Sequence, residues 1–158
     1  MGAVGRIVAG AAAGAAGTTV LNAVTYLDMA VRARPASSTP EDTVEALASR
    51  AGVQVPGDED TRQARLAGLG PLSGIVTGVG VGALGGLLLG GAARRGAGAA
   101  LVSGVAIGAG AMLATDGSMT ALGVTDPRTW DATSWVSDAV PHAAYGVATA
   151  AVLRALLR

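Results

Sequence analysis

The sequence predicts an all-α integral membrane bundle of about four transmembrane helices, with short interfacial helices in the connections between spans one and two and between spans three and four. Three observations support this class. Of the 158 residues, 51% are hydrophobic and 14% are charged, and the mean hydropathy of +0.50 is too high for an ordinary soluble domain. Four long stretches are nearly free of charge, and glycine recurs at every fourth position in one of them.

The four apolar stretches form a single predicted membrane domain, residues 1–158. A spanning helix needs roughly 20 mostly apolar residues. The predicted spans are residues 5–31, 66–93, 97–115 and 137–157. Spans two and three are expected to form a helical hairpin, because little besides Arg94 and Arg95 separates them.

The only long polar segment, residues 32–65, connects spans one and two. Thr39, Pro40 and Glu41 are typical of a helix N-cap, a first-turn proline and a first-turn acid, and Gly52 is a typical helix stop. These residues predict a short amphipathic helix on the membrane surface. Asp58 begins a second predicted helix, which would carry span two beyond the bilayer.

The connection between spans three and four repeats the cap signal at Asp126 and Pro127. An interfacial turn of helix is expected there. Pro71 and Pro141 are each expected to open a spanning helix. The aromatic side chains are expected to be interfacial anchors: Tyr26, Trp130, Trp135 and Tyr145.

Charge divides the predicted bundle into two sides. All 11 Asp and Glu residues lie on side two or at its boundary, where spans one and three end. Side one has only arginines in very short segments and is expected to be cytoplasmic. All 11 basic residues are arginine, which resembles the codon bias of a GC-rich bacterium. We therefore predict a multi-pass plasma-membrane protein with both termini inside. The arginines of side one are Arg6, Arg94, Arg95, Arg154 and Arg158.

The most specific motif is the glycine row of span two, which we define as Gly74, Gly78, Gly82, Gly86 and Gly90. Residues four apart share a helix face, and glycine lets another backbone approach closely. Gly104 and Gly108 repeat the spacing in span three. One interpretation is packing inside the bundle. The other is an oligomeric contact, in a homo-oligomer or a larger membrane complex, or a thin-walled pore.

Polar residues inside the spans are the best candidates for function, because hydrocarbon penalises them unless they are paired. In a four-helix bundle, the ends of spans one and three and the starts of spans two and four meet on one membrane face. Six polar residues are therefore expected to line one ligand or ion pocket near side two: Asn22, Tyr26, Asp28, Asp116, His142 and Tyr145. His142 either takes part in a proton-linked step or faces interfacial water at a helix N-terminus.

Several chemistries are excluded by the residues present. The chain has no Cys and a single His, which fits no transition-metal pattern, and no cofactor is predicted. The net charge is zero, so no basic surface exists to hold nucleic acid. No nucleophile elbow, phosphate loop or zinc-protease motif occurs, and no catalytic residue is predicted.

Two stretches together resemble a known group of proteins. They are TTVLNAVTYLDMAVRARPASSTPE at Thr18 to Glu41, and GVTDPRTW with VPHAAYG between Gly123 and Gly146. The resemblance is to uncharacterised small multi-pass membrane proteins from actinobacteria, and more distantly to the YagU-like inner-membrane proteins. The distant resemblance implies a link with tolerance of acid and supplies no catalytic residues.

Three functions are compatible with these features. The first is a non-enzymatic structural or accessory membrane protein that associates through its glycine faces. The second is a small transporter or channel with the polar region around Asp28, Asp116 and His142 as its mouth. The third is a lipid-modifying enzyme with His142 as base, for which no nucleophile or metal partner is recognisable.

Overall fold

The computed structural model describes residues 1–158 and contains helices without strands. The helices are α1 (Ala3–Arg32), α2 (Thr39–Arg50), α3 (Glu59–Ala93), α4 (Ala97–Leu122) and α5 (Ala132–Leu156), with one 3₁₀ turn at Pro127–Thr129. Four of them are long, and the shorter α2 lies in the connection between α1 and α3. The predicted all-α class is confirmed.

Three of the long helices are able to cross a membrane by length and composition. They are α1 with 30 residues, α3 with 35 and α4 with 26, with mean hydropathies of 1.5, 1.9 and 1.8 over their most apolar windows. Helix α5 has 25 residues and is not among them, since it carries Asp138 and His142 in its first half. The chain thus has the helices of a membrane protein.

The four long helices form an antiparallel bundle. Helix α1 packs most extensively against α3 and α5, and α4 packs against α5 and, less closely, against α3. The hairpin predicted between spans two and three is present, because α3 ends at Ala93 and α4 begins at Ala97. The five arginines of side one therefore lie at one end of the bundle.

Glycines form the contact between α1 and α3. A Cβ atom added to Gly14 would lie 2.5 Å from the carbonyl oxygen of Gly78 and 2.9 Å from Cα of Gly82. A Cβ on Gly10 would lie 2.8 Å from Cα of Gly86. The two backbones thus touch directly, which gains dispersion contacts that lipid does not supply at this distance.

The glycine row is therefore mostly used inside the chain. Gly78, Gly82 and Gly86 face α1, while Gly90 lies against the side chain of Leu157. Gly74 is the exception, since a Cβ there meets no heavy atom within 4 Å. Packing inside the bundle therefore does not account for Gly74, because positions four apart drift by about 40° per step around a helix of 3.6 residues per turn, which turns Gly74 away from α1.

A second glycine contact joins α4 to α5. A Cβ on Gly104 would lie 3.0 Å from the carbonyl oxygen of Gly146, and one on Gly108 would lie 2.6 Å from that of His142. The predicted packing role of Gly104 and Gly108 is confirmed. Their partner is a helix of the same chain.

Helix α2 forms where a short amphipathic helix was predicted, but its N-cap is Ser38 and not Thr39. It begins at Thr39, one residue after its N-cap Ser38, and Gly52 follows its end with a φ of +70°, a conformation that favours glycine. No residue of α2 is buried. An ion pair between Glu45 and Arg62 connects it to the first turns of α3.

The start of α3 also matches its prediction. Asp58 is the N-cap, and its side chain accepts a hydrogen bond from the backbone N–H of Thr61 at 3.0 Å. The helix thus begins well before residue 66, where the predicted span starts. The interfacial helix predicted between spans three and four is only the 3₁₀ turn, after which the rings of Trp130 and Trp135 meet edge to face at 5.1 Å.

Both proline predictions are wrong. Pro71 and Pro141 lie inside α3 and α5, because the caps at Asp58 and Asp131 start these helices earlier. Interior proline removes one backbone hydrogen bond, and the long helices retain their shape around it. For α5 the earlier start has a functional consequence, since it places residues before Pro141 on the same helical surface as His142.

The exterior of the bundle is apolar. Only 27 of the 158 residues are buried, and large side chains such as Leu84, Leu88, Val102 and Leu113 are more than half exposed. A soluble protein rarely exposes this much contiguous apolar surface. Lipid is the solvent that suits it.

Candidate functional site

Two carboxyl groups and the only histidine meet between α4 and α5 near side two. Asp116 comes from α4, and Asp138 and His142 come from α5. The Asp116 carboxyl lies beside that of Asp138 and close to the His142 ring. We call these three residues the carboxyl-histidine cluster.

The imidazole of His142 is held at both nitrogens. Its Nδ1 lies 2.9 Å from the backbone oxygen of Asp138 and 3.3 Å from Oδ1 of the same residue. Both neighbours are acceptors, so Nδ1 carries a hydrogen atom. Its Nε2 lies 3.4 Å from the hydroxyl oxygen of Thr115.

Thr115 suits either charge state of His142. Its hydroxyl oxygen lies 3.0 Å from the carbonyl oxygen of Met112 and 3.1 Å from that of Ala111. When the ring is neutral, the hydroxyl donates to Nε2. When the ring is protonated, the hydroxyl accepts from Nε2–H and donates to a carbonyl oxygen. The surroundings of His142 therefore permit protonation without leaving a hydrogen unpaired.

The cluster is largely shielded from solvent. Asp116 is 9% exposed, and the His142 side chain is 13% exposed. One oxygen of Asp138, Oδ2, is buried and has no hydrogen-bond partner. Neighbouring carboxylates repel each other, so such a pair is most stable when it shares one proton.

Glycines let α4 and α5 approach closely enough for the cluster to form. Gly108 and Gly146 bring the backbones of α4 and α5 into contact one to two turns from the cluster. Because the two helices are that close, residues on the following turns of α4 reach α5 directly. Thr115 and Asp116 thereby meet Asp138 and His142.

Tyr145 was predicted to lie in the same pocket and does not. It is 1% exposed, and its hydroxyl donates a 2.6 Å hydrogen bond to the carbonyl oxygen of Gly78. The ring thus ties α5 to α3. Its role in the structure is to connect two helices across the bundle.

Two further residues of the predicted pocket, Asn22 and Tyr26, lie on α1. Tyr26 is 60% exposed on the outer surface, because its position on α1 points away from α3 and α5. Asn22 is half-buried and makes no side-chain hydrogen bond. The prediction that all six residues share one pocket is therefore wrong, because Tyr26 and Tyr145 lie elsewhere, while Asp116 and His142 meet.

Asp28 belongs to a separate group of charges at the end of α1. It accepts hydrogen bonds from Nε of Arg34 at 2.6 Å and from Arg32 at 3.2 Å. The guanidinium group of Arg32 also donates to the hydroxyl of Ser137 on α5 at 2.7 Å. This arrangement fastens the end of α1 to the start of α5, next to the cluster.

Asp138 and Thr115 are the site residues that sequence reasoning missed. Asp138 precedes His142 by four residues, which places the two on one face of a helix. The signal was hidden by the expectation that Pro141 opens the span. Once α5 begins at Ala132, the pair is evident.

The cluster is not arranged as a metal centre. No three side chains of His, Asp or Glu are placed so that they could hold one metal ion. The chemistry available to the cluster is therefore the binding, sharing and release of protons among two carboxyl groups and one imidazole.

Comparison with protein-family models, curated proteins and solved structures finds no match. The resemblance to the actinobacterial and YagU-like membrane proteins stays a prediction.

Proposed function

We propose that this chain is a small non-enzymatic protein of the bacterial plasma membrane that couples proton binding near side two to the transport of an ion or small solute. The observation that carries the proposal is the carboxyl-histidine cluster, buried between α4 and α5 in an otherwise apolar bundle. Ionisable groups inside a membrane cost free energy and commonly mark ion or proton pathways.

The proposal includes a fourth span, α5. Its 25 residues would extend about 37 Å, more than the roughly 30 Å hydrocarbon core. It packs antiparallel to α1 and α4, both long and apolar enough to cross a membrane. Exposed Val140 and Val147 give it an apolar outer surface. Its polar residues Tyr145 and Thr149 are buried inside the bundle, and His142 meets Thr115 of α4.

Three features support a proton as the coupling species. The Asp116 and Asp138 carboxyl groups are adjacent, so a shared proton removes their repulsion. His142 lies next to both and has acceptors for a second ring hydrogen. Imidazole also changes charge near neutral pH. The cluster therefore brings together three groups able to bind and release a proton.

The test is proton flux into liposomes that contain the purified protein and a trapped pH-sensitive dye. With a potassium diffusion potential imposed, wild-type vesicles should acidify faster than empty ones, and Asp116→Asn or Asp138→Asn should lower the rate to that of empty vesicles. Asp60→Asn is the matched control, because Asp60 is an exposed acid on the same side. Wild-type flux equal to that of empty vesicles, or flux unchanged in both cluster variants, would refute the proposal.

A structural or accessory role is the second candidate, and the observation that favours it is the open position of Gly74. Association through Gly78, Gly82 or Gly86 would require the bundle to open, because α1 covers them. Gly74 is free on the outside of α3. The mass of the detergent-solubilised particle tests this role. A wild-type oligomer that dissociates in Gly74→Leu supports it, and a monomer in both contradicts it.

The proposed orientation places side one in the cytoplasm. Its five arginines stand in short segments, and cytoplasmic loops carry an excess of such residues. The carboxyl-histidine cluster then lies toward the outer face of the plasma membrane, where external acid would reach it first.

A further inference from the structure

A groove of about 420 Å³ lies on the bundle surface at side one, between the start of α4 and the end of α5. Its walls are mainly apolar, with Leu101 from α4 and Val147 and Ala151 from α5. Deeper in the bundle, Gly104 and Gly146 bring the two helices into contact. Toward side one, small side chains such as Ala97 leave the groove unfilled.

Two arginines, Arg154 of α5 and Arg158 just after its end, line the side-one end of the groove. Neither makes a hydrogen bond or an ion pair within the chain, unlike Arg32, Arg34 and Arg62 on side two. No Asp or Glu side chain lies in the side-one segments. No Asp or Glu side chain therefore compensates the positive charge of these two arginines.

The groove lies at the level of the membrane where a phospholipid would contact it. Arg154 follows Val147 by seven residues, so the apolar part continues about 10 Å along α5 from the arginine. Helix α4 is one of the three helices able to cross the membrane, and its first turn forms the opposite wall. The apolar part of the groove therefore faces acyl chains, and the arginines reach the level of the headgroups.

We propose that this groove binds one anionic phospholipid. The phosphate lies between Arg154 and Arg158, and part of one acyl chain follows Leu101 and Val147 into the groove. Guanidinium groups form strong, directional hydrogen bonds with phosphate oxygens, and basic pockets between spans on the cytoplasmic side suit anionic headgroups. A zwitterionic lipid fits less well, because its quaternary ammonium group would approach the same two arginines. This site is independent of the proposed proton pathway at side two.

Native mass spectrometry of the whole protein in mild detergent tests the proposal. The probes are phosphatidylglycerol, phosphatidylcholine with the same acyl chains, and inorganic phosphate. We expect one phosphatidylglycerol per chain, with affinity at least about tenfold above that for phosphatidylcholine, and no retention of inorganic phosphate. Retention of inorganic phosphate without the lipid would overturn the assignment to a phospholipid.

Two double variants that lose the same charge distinguish lipid binding at the groove from general electrostatic attraction of the lipid to side one. Replacing Arg154 and Arg158 together with Gln should weaken phosphatidylglycerol binding about 30-fold, whereas the same change at Arg94 and Arg95, which do not line the groove, should weaken it less than about threefold. An equal loss in both variants would mean diffuse attraction and would overturn the proposal. So would equal binding of the two lipids by the wild-type protein.

A third variant fills the groove without changing charge. Ala151 is exposed on the groove wall, so Ala151→Leu keeps the helix and occupies the space proposed for the acyl chain. Phosphatidylglycerol binding should fall about tenfold. Undiminished binding would overturn the placement of the acyl chain. A dimeric particle without lipid, disrupted by the same variant, would assign the groove to a second copy of the chain.

Discussion

The contact between α1 and α3 gives the most direct prediction, made by adding one methyl group at Gly14. The new Cβ would lie 2.5 Å from the carbonyl oxygen of Gly78, nearly 1 Å closer than ordinary van der Waals contact begins. The helices must therefore separate. Overpacking of this kind costs about 1–3 kcal/mol, and the gain in helix propensity from glycine to alanine returns at most about 1 kcal/mol. With the full gain subtracted, Gly14→Ala should lower the free energy of unfolding by up to about 2 kcal/mol.

The matched control is Gly80→Ala. Gly80 lies on α3 between the two glycines that face Gly14, and a Cβ there meets no heavy atom within 4 Å. This variant should be neutral or more stable by up to about 1 kcal/mol. Reversible unfolding in mixed micelles with increasing dodecyl sulfate, followed by tryptophan fluorescence, measures both. If Gly14→Ala proved as stable as Gly80→Ala, the close backbone contact and the reasoning from it would be wrong.

Three further predictions concern helix connection, topology and pH. Tyr145→Phe removes the hydrogen bond to the Gly78 carbonyl and should destabilise the bundle by about 1 kcal/mol in the same unfolding assay. Because the chain has no native cysteine, Ser134→Cys and Ala155→Cys each give one thiol, and an impermeant maleimide should label them from opposite sides if α5 spans the membrane. Hydrogen bonds from the Ser134 hydroxyl and backbone N–H hold the pKa of the Asp131 carboxyl below its usual 3.8. The stability that this cap contributes is thus present above pH 3.8 and is lost as the pH falls through the lower pKa of Asp131 in the folded state. Unfolding measured as a function of pH should show this loss in the wild type and not in Asp131→Asn.

Capping residues in the sequence predicted two of the helix boundaries well. Gly52 ends the surface helix α2, as expected, because few other residues adopt its positive φ without strain. Asp58 starts α3. The error at Pro141 came from treating a proline as a helix start when Asp131 had already capped α5. That error concealed Asp138, the third member of the cluster.

The pocket was predicted less well than the spans. Asp116 and His142 were expected to meet and do, but Tyr26 points outward and Tyr145 bonds to α3. Which residues of a helix face its neighbours depends on how the helix is rotated about its axis. Apolar surface does not fix that rotation in a membrane, because lipid and the bundle interior are equally apolar.

The sequence alone determined the helical class, the order of the apolar helices along the chain, the hairpin at Arg94 and Arg95, and the separation of acids from the arginines of side one, since each follows from composition or from neighbours along the chain. Only the tertiary structure decided that α1 covers most of the glycine row, that Gly74 stays open, and that Asp138 joins Asp116 and His142. Those outcomes depend on which helix faces approach closely enough for backbones to touch. Glycine spacing permits such contacts, and the packing of the whole bundle selects among them.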